Sequence, residues 1–286
     1  MTVLVFGAQG QLAQDFMRLL GADATGVTHT DLDVTDGVAV DQKIAAVRPD
    51  WVINTAAFHR VDDCEANPGQ TFDVNAMGAF NVARASAGAG ARSVFFSTDY
   101  VYGGETRERG RPLSEADAPR PLNVYGISKV AGEQLVLHAD PRALVVRSAG
   151  LYGTATSRKG WTFPELMLQL AQTQPVVRVV DDQVLSPTFT ADLASAVLDL
   201  MKSGATGLTH VANGGECSWY ELARATYDLT GTAVNLQPQS TAETKRRATR
   251  PPYSALHCPR LPRPLRHWRE ALADYLRQKG RLPAST

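Results

Sequence analysis

Tyr125 and Lys129 stand four residues apart in the stretch Asn123-Val124-Tyr125-Gly126-Ile127-Ser128-Lys129. On a helix that spacing puts both side chains on one face. A phenol beside an ammonium is equipped to give up a proton, because the positive charge favours the phenolate. With eight tyrosines and six lysines in 286 residues, about 0.2 such pairs are expected by chance, so the pair counts only with a site around it. The bland alternative is an exposed helix with an ordinary Tyr and Lys.

The elements that would build such a site precede the pair. Residues 2–6, Thr-Val-Leu-Val-Phe, read as a short buried strand ending at Gly7. Gly7-Ala8-Gln9-Gly10-Gln11-Leu12-Ala13 follows, then an amphipathic segment over 15–20. Glycines at 7 and 10 permit a tight turn and close approach of a pyrophosphate to backbone N–H groups at a helix start. Ala13 takes a position that only packs helix on strand. A second strand is expected over 24–29, followed by Asp31, Asp33 and Asp36 as candidates for the adenosine ribose. Asp36 is also placed to cap a helix over 38–47. No Arg lies between residues 24 and 47, which leans toward NAD over NADP.

Residues 51–54 form the third strand, and the small residues Thr55-Ala56-Ala57 at its end suit either a cofactor or tight packing. His59 is a candidate ligand contact, although a lone histidine is as often structural. Asp62, Asp63 and Glu65 read as a solvated helix start, and no metal site is expected. A helix over 75–83 and a strand over 92–96 lead to Ser97-Thr98-Asp99-Tyr100, where Thr98 is placed to bond a substrate carbonyl. A flap over 104–121 then enters the Tyr125 helix, and 144–147 make a fifth strand. Alternating short strands and helices predict an α/β doubly wound parallel sheet with helices on both faces.

From Gly150 onward the pattern loosens. A polar loop is expected over 154–160 and helices over 163–172, 190–201, 218–230 and 267–279. The 190–201 helix is read as opening on a capping residue, and Ser218 to Glu221 matches a capping box. Strands are expected over 176–180 and 207–212. The domain reading is a cofactor domain over 1–150, joined by returning segments from about 176–212, with an interleaved smaller lobe over 151–286.

Composition excludes several classes. Lys plus Arg equals Asp plus Glu, 29 each, so nothing electrostatic favours nucleic acid or a membrane surface. Three scattered cysteines, no basic-then-apolar leader and no bilayer-length apolar run point to a cytoplasmic protein.

These pieces together resemble the extended short-chain dehydrogenase/reductase family, and within it the dTDP-4-dehydrorhamnose reductase (RmlD-like) group. The resemblance rests on GAQGQLA at 7–13, LDVTD at 32–36, NTAAFHRVDDCE at 54–65 and VNAMGAFNVA at 74–83. It continues through STDYVYGG at 97–104, PLNVYGISKVAGEQ at 121–134, RSAGLYG at 147–153, DDQVLSPTFTADLA at 181–194 and RPPYSAL at 250–256. The resemblance implies a Rossmann-type fold with an interleaved C-terminal substrate lobe, NADH or NADPH as cofactor, a nucleotide-sugar substrate and a homodimer. It implies that hydride goes to C4 of a 4-keto sugar, Tyr125 donates the proton, Lys129 holds the nicotinamide ribose and lowers the Tyr125 pKa, and Thr98 orients the carbonyl. By the same resemblance Gly7, Gly10, Gln11 and Leu12 line the pyrophosphate, Asp33 and Val34 the adenine side, and Ala56, Ala57 and Phe58 the rest of the cofactor. His59, Val61, Thr98, Asp99 and Gly150 fall on the substrate side.

Two departures lie there. Gly150 stands where the rhamnose-pathway enzymes carry a Trp, and His59-Arg60 replaces a smaller Thr-Ala pair. Sister dehydratases carry Asp-Glu after the Thr, where this chain has Asp99-Tyr100, which disfavours dehydration. Another sugar-nucleotide reductase or epimerase, or a non-catalytic NADP-binding subunit of the methionine adenosyltransferase accessory type, remains as an alternative.

Overall fold

The computed structural model describes residues 1–104, 110–155 and 160–282. Strand β1 (Val3–Phe6) passes through the glycine turn into α1 (Gln11–Leu20) and returns as β2 (Ala24–Val27). Helix α2 (Gly37–Val47) crosses to β3 (Trp51–Asn54). Then come α3 (Val61–Ala66), α4 (Pro68–Phe72), a π-helical turn at Asp73–Gly78, and α5 (Ala79–Gly88). Strand β4 (Arg92–Thr98) precedes α6 (Val124–Ala139), which carries the Tyr125 stretch and feeds β5 (Leu144–Ser148). Beyond it lie β6 (Leu151–Tyr152), α7 (Phe163–Thr173), β7 (Val177–Val180), β8 (Val184–Leu185), β9 (Thr188–Phe189) and α8 (Thr190–Lys202). Strand β10 (Gly207–His210), β11 (Cys217–Ser218), α9 (Trp219–Thr230), β12 (Leu236–Gln239) and α10 (Trp268–Gln278) follow.

Six strands pair in the order β10-β5-β4-β3-β1-β2, every neighbour parallel. Alternate residues of β1 serve opposite faces. Val3 and Val5 pack with Phe16 of α1 and Val197 of α8. Leu4 and Phe6 pack with Val40 and Ile44 of α2. Because both faces are covered, the strand must be apolar throughout, and all four of its residues are buried. The architecture is Rossmann-type. The order of strand addition reverses at β1, since β2 lies on one side and β3 on the other. The loops after β1 and β3 therefore part at the carboxyl edge, where open α/β sheets take ligands.

A second core joins α7, α9 and α10 through Leu168, Leu222, Tyr227, Trp268 and Tyr275. The segment returning to the main sheet is narrower than the 176–212 expected. Val177–Val180 pairs instead with Leu236–Gln239, placing Val177 and Val179 in the second core, and only α8 and β10 join the first. Strand β2 ends two residues before the expected His29, because Asp31 takes the Thr28 N–H and hydroxyl at 2.9 and 2.7 Å and turns the chain. Helix α8 has no side-chain cap. The Thr190 hydroxyl that was expected to supply one is spent on Asp15, at 2.6 Å. The caps expected at Asp36 and in the Ser218–Glu221 box are present. The flap over 104–121 and the loop over 154–160 fall partly outside the described residues. Among those residues, no helix is long and apolar enough to cross a membrane.

Candidate active site

Gly7 adopts φ +78°, and a Cβ there would lie 2.7 Å from Thr55 Oγ1 and 3.0 Å from the Ala56 nitrogen. The reversal in strand order brings β1 and β3 together here, so only glycine fits. Gly10 N–H closes the turn on the Gly7 carbonyl at 2.8 Å, and Gly10 then starts α1. No side chain caps α1 and no acid stands in its first turn. Its unpaired N–H groups and positive dipole end are thus left for an anion, which fits a dinucleotide pyrophosphate. Leu12 is buried beneath the turn. The Gln11 side chain turns away, donating to the carbonyls of Ala155 (3.0 Å) and Gly153 (3.4 Å), so only its main chain faces the cradle.

Of the three acids after β2, Asp36 caps α2 and Asp31 is folded onto Thr28, which holds its carboxyl below the usual range. Asp33 remains. It lines a cleft of about 370 Å³ with Thr35, Gln70, Asp73, Val74 and Met77. Val34 does not face that cleft, because its side chain packs on Gly78, where a Cβ would come within 2.7 Å. Ala56, Ala57 and Phe58 line the loop after β3, and Asn54 Oδ1 accepts the Ala56 N–H at 3.0 Å. His59 is exposed at the tip, and Val61 opens α3 half-buried.

Thr98 ends β4 only 6% exposed. Its hydroxyl donates to Asp99 Oδ1 at 3.0 Å and accepts the Tyr100 N–H at 3.1 Å. The Tyr125 phenol lies close enough to feel this hydroxyl, an influence that favours the phenolate. Asp99, expected on the substrate, is turned inward: its second oxygen takes the Ser254 hydroxyl at 2.6 Å. Burial pushes this carboxyl up to about 6, against the lowering effect of its hydroxyl donors. The motif at 181–194 and the motif at 250–256 meet over this acid. Val184 N–H donates to Pro252 O, and Ser254 N–H to Val184 O.

Helix α6 starts where three groups hold it. Asn123 Oδ1 accepts the Gly126 N–H, Asn123 Nδ2 donates to Thr249 O, and Glu65 Oε1 accepts the Val124 N–H, each at 2.8 Å. Tyr125 and Lys129 both face β4, the first against Thr98 and the second with its ammonium 4.0 Å above the Phe95 ring. Burial lowers Lys129 to about 7, opposed by Glu133 one turn on. Burial also pushes Tyr125 well above the phenol range, with the Asp99 charge adding to it. Desolvation outweighs the charges and hydrogen bonds acting on Tyr125, so its pKa lies above the free value rather than below it.

The reading of Asp62 and Glu65 as a solvated helix start is corrected. Glu65 caps α6, and Asp62 holds Arg250 of the far lobe. Only Asp63, 3.7 Å from Arg60, remains as an exposed pair. Gly150 has φ +52°, and a Cβ would sit 2.5 Å from Leu185 Cδ1. A larger residue would be strained at this φ and would have to displace the Leu185 side chain.

Comparison with known proteins adds a decisive match: residues 1–280 fit the family model described as RmlD substrate binding domain. The chain belongs to this family. It is 40% identical to dTDP-4-dehydrorhamnose reductase of Mycobacterium tuberculosis, covering 96% of this chain and 92% of that protein. It is 37% identical to dTDP-4-keto-6-deoxy-D-glucose reductase of Streptomyces niveus, covering 95% of both. The crystal structure of the Bacillus anthracis dTDP-4-dehydrorhamnose reductase in complex with NADP superposes with a TM-score of 0.91. That enzyme is 34% identical, with 97% of this chain and 100% of that one covered. Fold, glycine cradle and family are those of an NAD(P)H-dependent oxidoreductase.

Proposed function

We propose that this protein reduces the 4-keto group of a dTDP-linked 6-deoxyhexose, with dTDP-4-dehydro-L-rhamnose the leading substrate. The observation that carries the reading is the placement of Thr98 at the end of β4 beside the α6 helix that bears Tyr125 and Lys129, next to the glycine cradle, in a chain of this family. When bound, NAD(P)H supplies the hydride. Gly7, Gly10, the Gln11 main chain and the start of α1 hold its pyrophosphate, and Asp33 its adenosine ribose. The half-buried Tyr125 stays protonated at neutral pH and gives its proton to the sugar oxygen as the alkoxide forms. The Thr98 hydroxyl rotates from Asp99 to the carbonyl and leaves Asp99 to Ser254. Lys129, on the same face of α6 as Tyr125, would hold the nicotinamide ribose and, when protonated, lend its charge to the developing oxyanion. The lobe built by α7, α9 and α10 supplies the sugar-nucleotide side, with Gly150 and His59 setting its differences from the rhamnose-pathway enzymes.

The test is a panel of nucleotide-linked 4-keto sugars with NADH and with NADPH, followed by loss of reduced-nicotinamide absorbance. Turnover of a dTDP-4-keto-6-deoxyhexose supports the reading. No oxidation of either cofactor with any such sugar refutes it.

A further inference from the structure

Leu185 of β8 has no reactive group and is 3% exposed. Its side chain lies over the bare backbone of Gly150, where a Cβ would come 2.5 Å from Leu185 Cδ1. Pairing with Cys217 in β11 fixes its register. Just past that pairing, Trp219 opens α9 and tilts its ring on Phe163, with centroids 4.7 Å apart. Leu185 and Trp219 are walls of one small cavity, which Asp99 and Tyr100 line as well.

The cavity adjoins the reacting groups. Asp99 follows Thr98 in the chain and accepts its hydroxyl at 3.0 Å. Tyr100 stands T-shaped to Tyr125, with ring centroids 6.0 Å apart. A sugar whose C4 carbonyl meets Thr98 and Tyr125 therefore has a ring neighbour of C4 beside this cavity. The substituents on those neighbours are the C3 hydroxyl and the C6 carbon.

Polarity and size both select C6. The polar side chains of the wall already have partners. Asp99 takes the Thr98 and Ser254 hydroxyls, and Gln183 Nε2 donates to Thr241 Oγ1 at 2.8 Å. The remaining wall is mostly apolar, so a hydroxyl entering it gives up water for nothing comparable. The free space holds about one water-sized group. A methyl fills it, and a hydroxymethyl is one heavy atom too large.

Resting on the reductase reading, we infer that Leu185 and Trp219 form the specificity pocket for C6 of the sugar. The pocket accepts the methyl of a 6-deoxyhexose and rejects a hexose that keeps its 6-hydroxyl.

The test compares dTDP-6-deoxy-D-glucose with dTDP-D-glucose, which differ only by the oxygen on C6, and uses dTDP alone as the reference. Binding to the enzyme with NADP is measured by calorimetry, which needs no turnover. The wild type is expected to prefer the 6-deoxy sugar by at least about ten-fold. Leu185→Ala opens the wall and brings the two sugars within about three-fold, by tightening dTDP-D-glucose. Leu185→Val, a smaller cut that is safer for the fold, moves the ratio the same way by less. Leu185→Phe fills the cavity and weakens both sugars about ten-fold. All three variants bind dTDP within about two-fold of the wild type.

Equal binding of the two sugars by the wild type overturns the inference. So does a Leu185→Ala enzyme that keeps the wild-type ratio, or one that loses affinity for dTDP as much as for the sugars. If Leu185→Ala does not fold, Leu185→Val decides. Turnover of 4-keto sugars is scored separately. Its absence fails the reductase reading, and the paired titrations still decide the inference.

Discussion

Asp62 receives both terminal nitrogens of Arg250, at 2.8 and 2.9 Å, across 188 positions of sequence. Arg250 is 7% exposed, and Asp62 also accepts the main-chain N–H groups of Arg247 and Ala248. The pair pins the 250–256 segment, which covers Asp99, to the helix beside the cofactor loop. The Arg250 bond holds Asp62 down at about 2, from 3.8. A depressed acid contributes stability above its unfolded pKa and loses it as pH falls through the folded one. That contribution is whole above about pH 4 and gone near about pH 2. Asp62→Asn is expected to lose on the order of 2 kcal/mol at neutral pH, less than a fully buried pair because Asp62 is partly exposed. Its denaturation midpoint should also lose this acid-side slope, which urea titrations across pH will show.

Asp99 has the opposite sign. The folded chain holds its proton up to about 6, against 3.8 for the free side chain. Between those values the folded state binds more protons, so this group's contribution to stability falls as pH rises. Asp99→Asn is expected to melt higher than the wild type at pH 8 and to lose the difference at about pH 4. Its kcat should change little, since the amide keeps an Oδ1 to accept the Thr98 hydroxyl. Paired melting and rate measurements at both pH values check this.

Tyr125→Phe removes the proton donor and leaves the glycine cradle untouched. A general acid contributes about 10²- to 10⁴-fold, so kcat should drop by that range with NADPH affinity unchanged. Fluorescence titration beside steady-state rates separates the two effects.

Gly150→Ala forces a Cβ toward Leu185 at a left-handed φ. A loss of about 1–3 kcal/mol is expected. Gly150→Trp should abolish sugar turnover rather than recreate a rhamnose-pathway pocket. Thermal melts and the substrate panel give both answers.

The parts of this account that depend on local chain chemistry were readable beforehand. The glycine turn at 7–10 shows itself because a strand ends at residue 6. Asp36 and the Ser218–Glu221 box show themselves because a cap is a short-range event. Tyr125 and Lys129 share a face because helical spacing dictates it. The misread residues depend on long-range partners. Asp62 and Glu65 look like solvated acids until Arg250 and the start of α6 are brought beside them. Val177–Val180 looks like a returning sheet strand until β12 claims it.

The most direct test of the central claim is isotope transfer. With NADPH deuterated at the transferable nicotinamide position and dTDP-4-dehydro-L-rhamnose as substrate, the account predicts one deuterium at C4 of the product sugar for each cofactor oxidised. A product without deuterium, or a sugar altered with no net oxidation of cofactor, would contradict it.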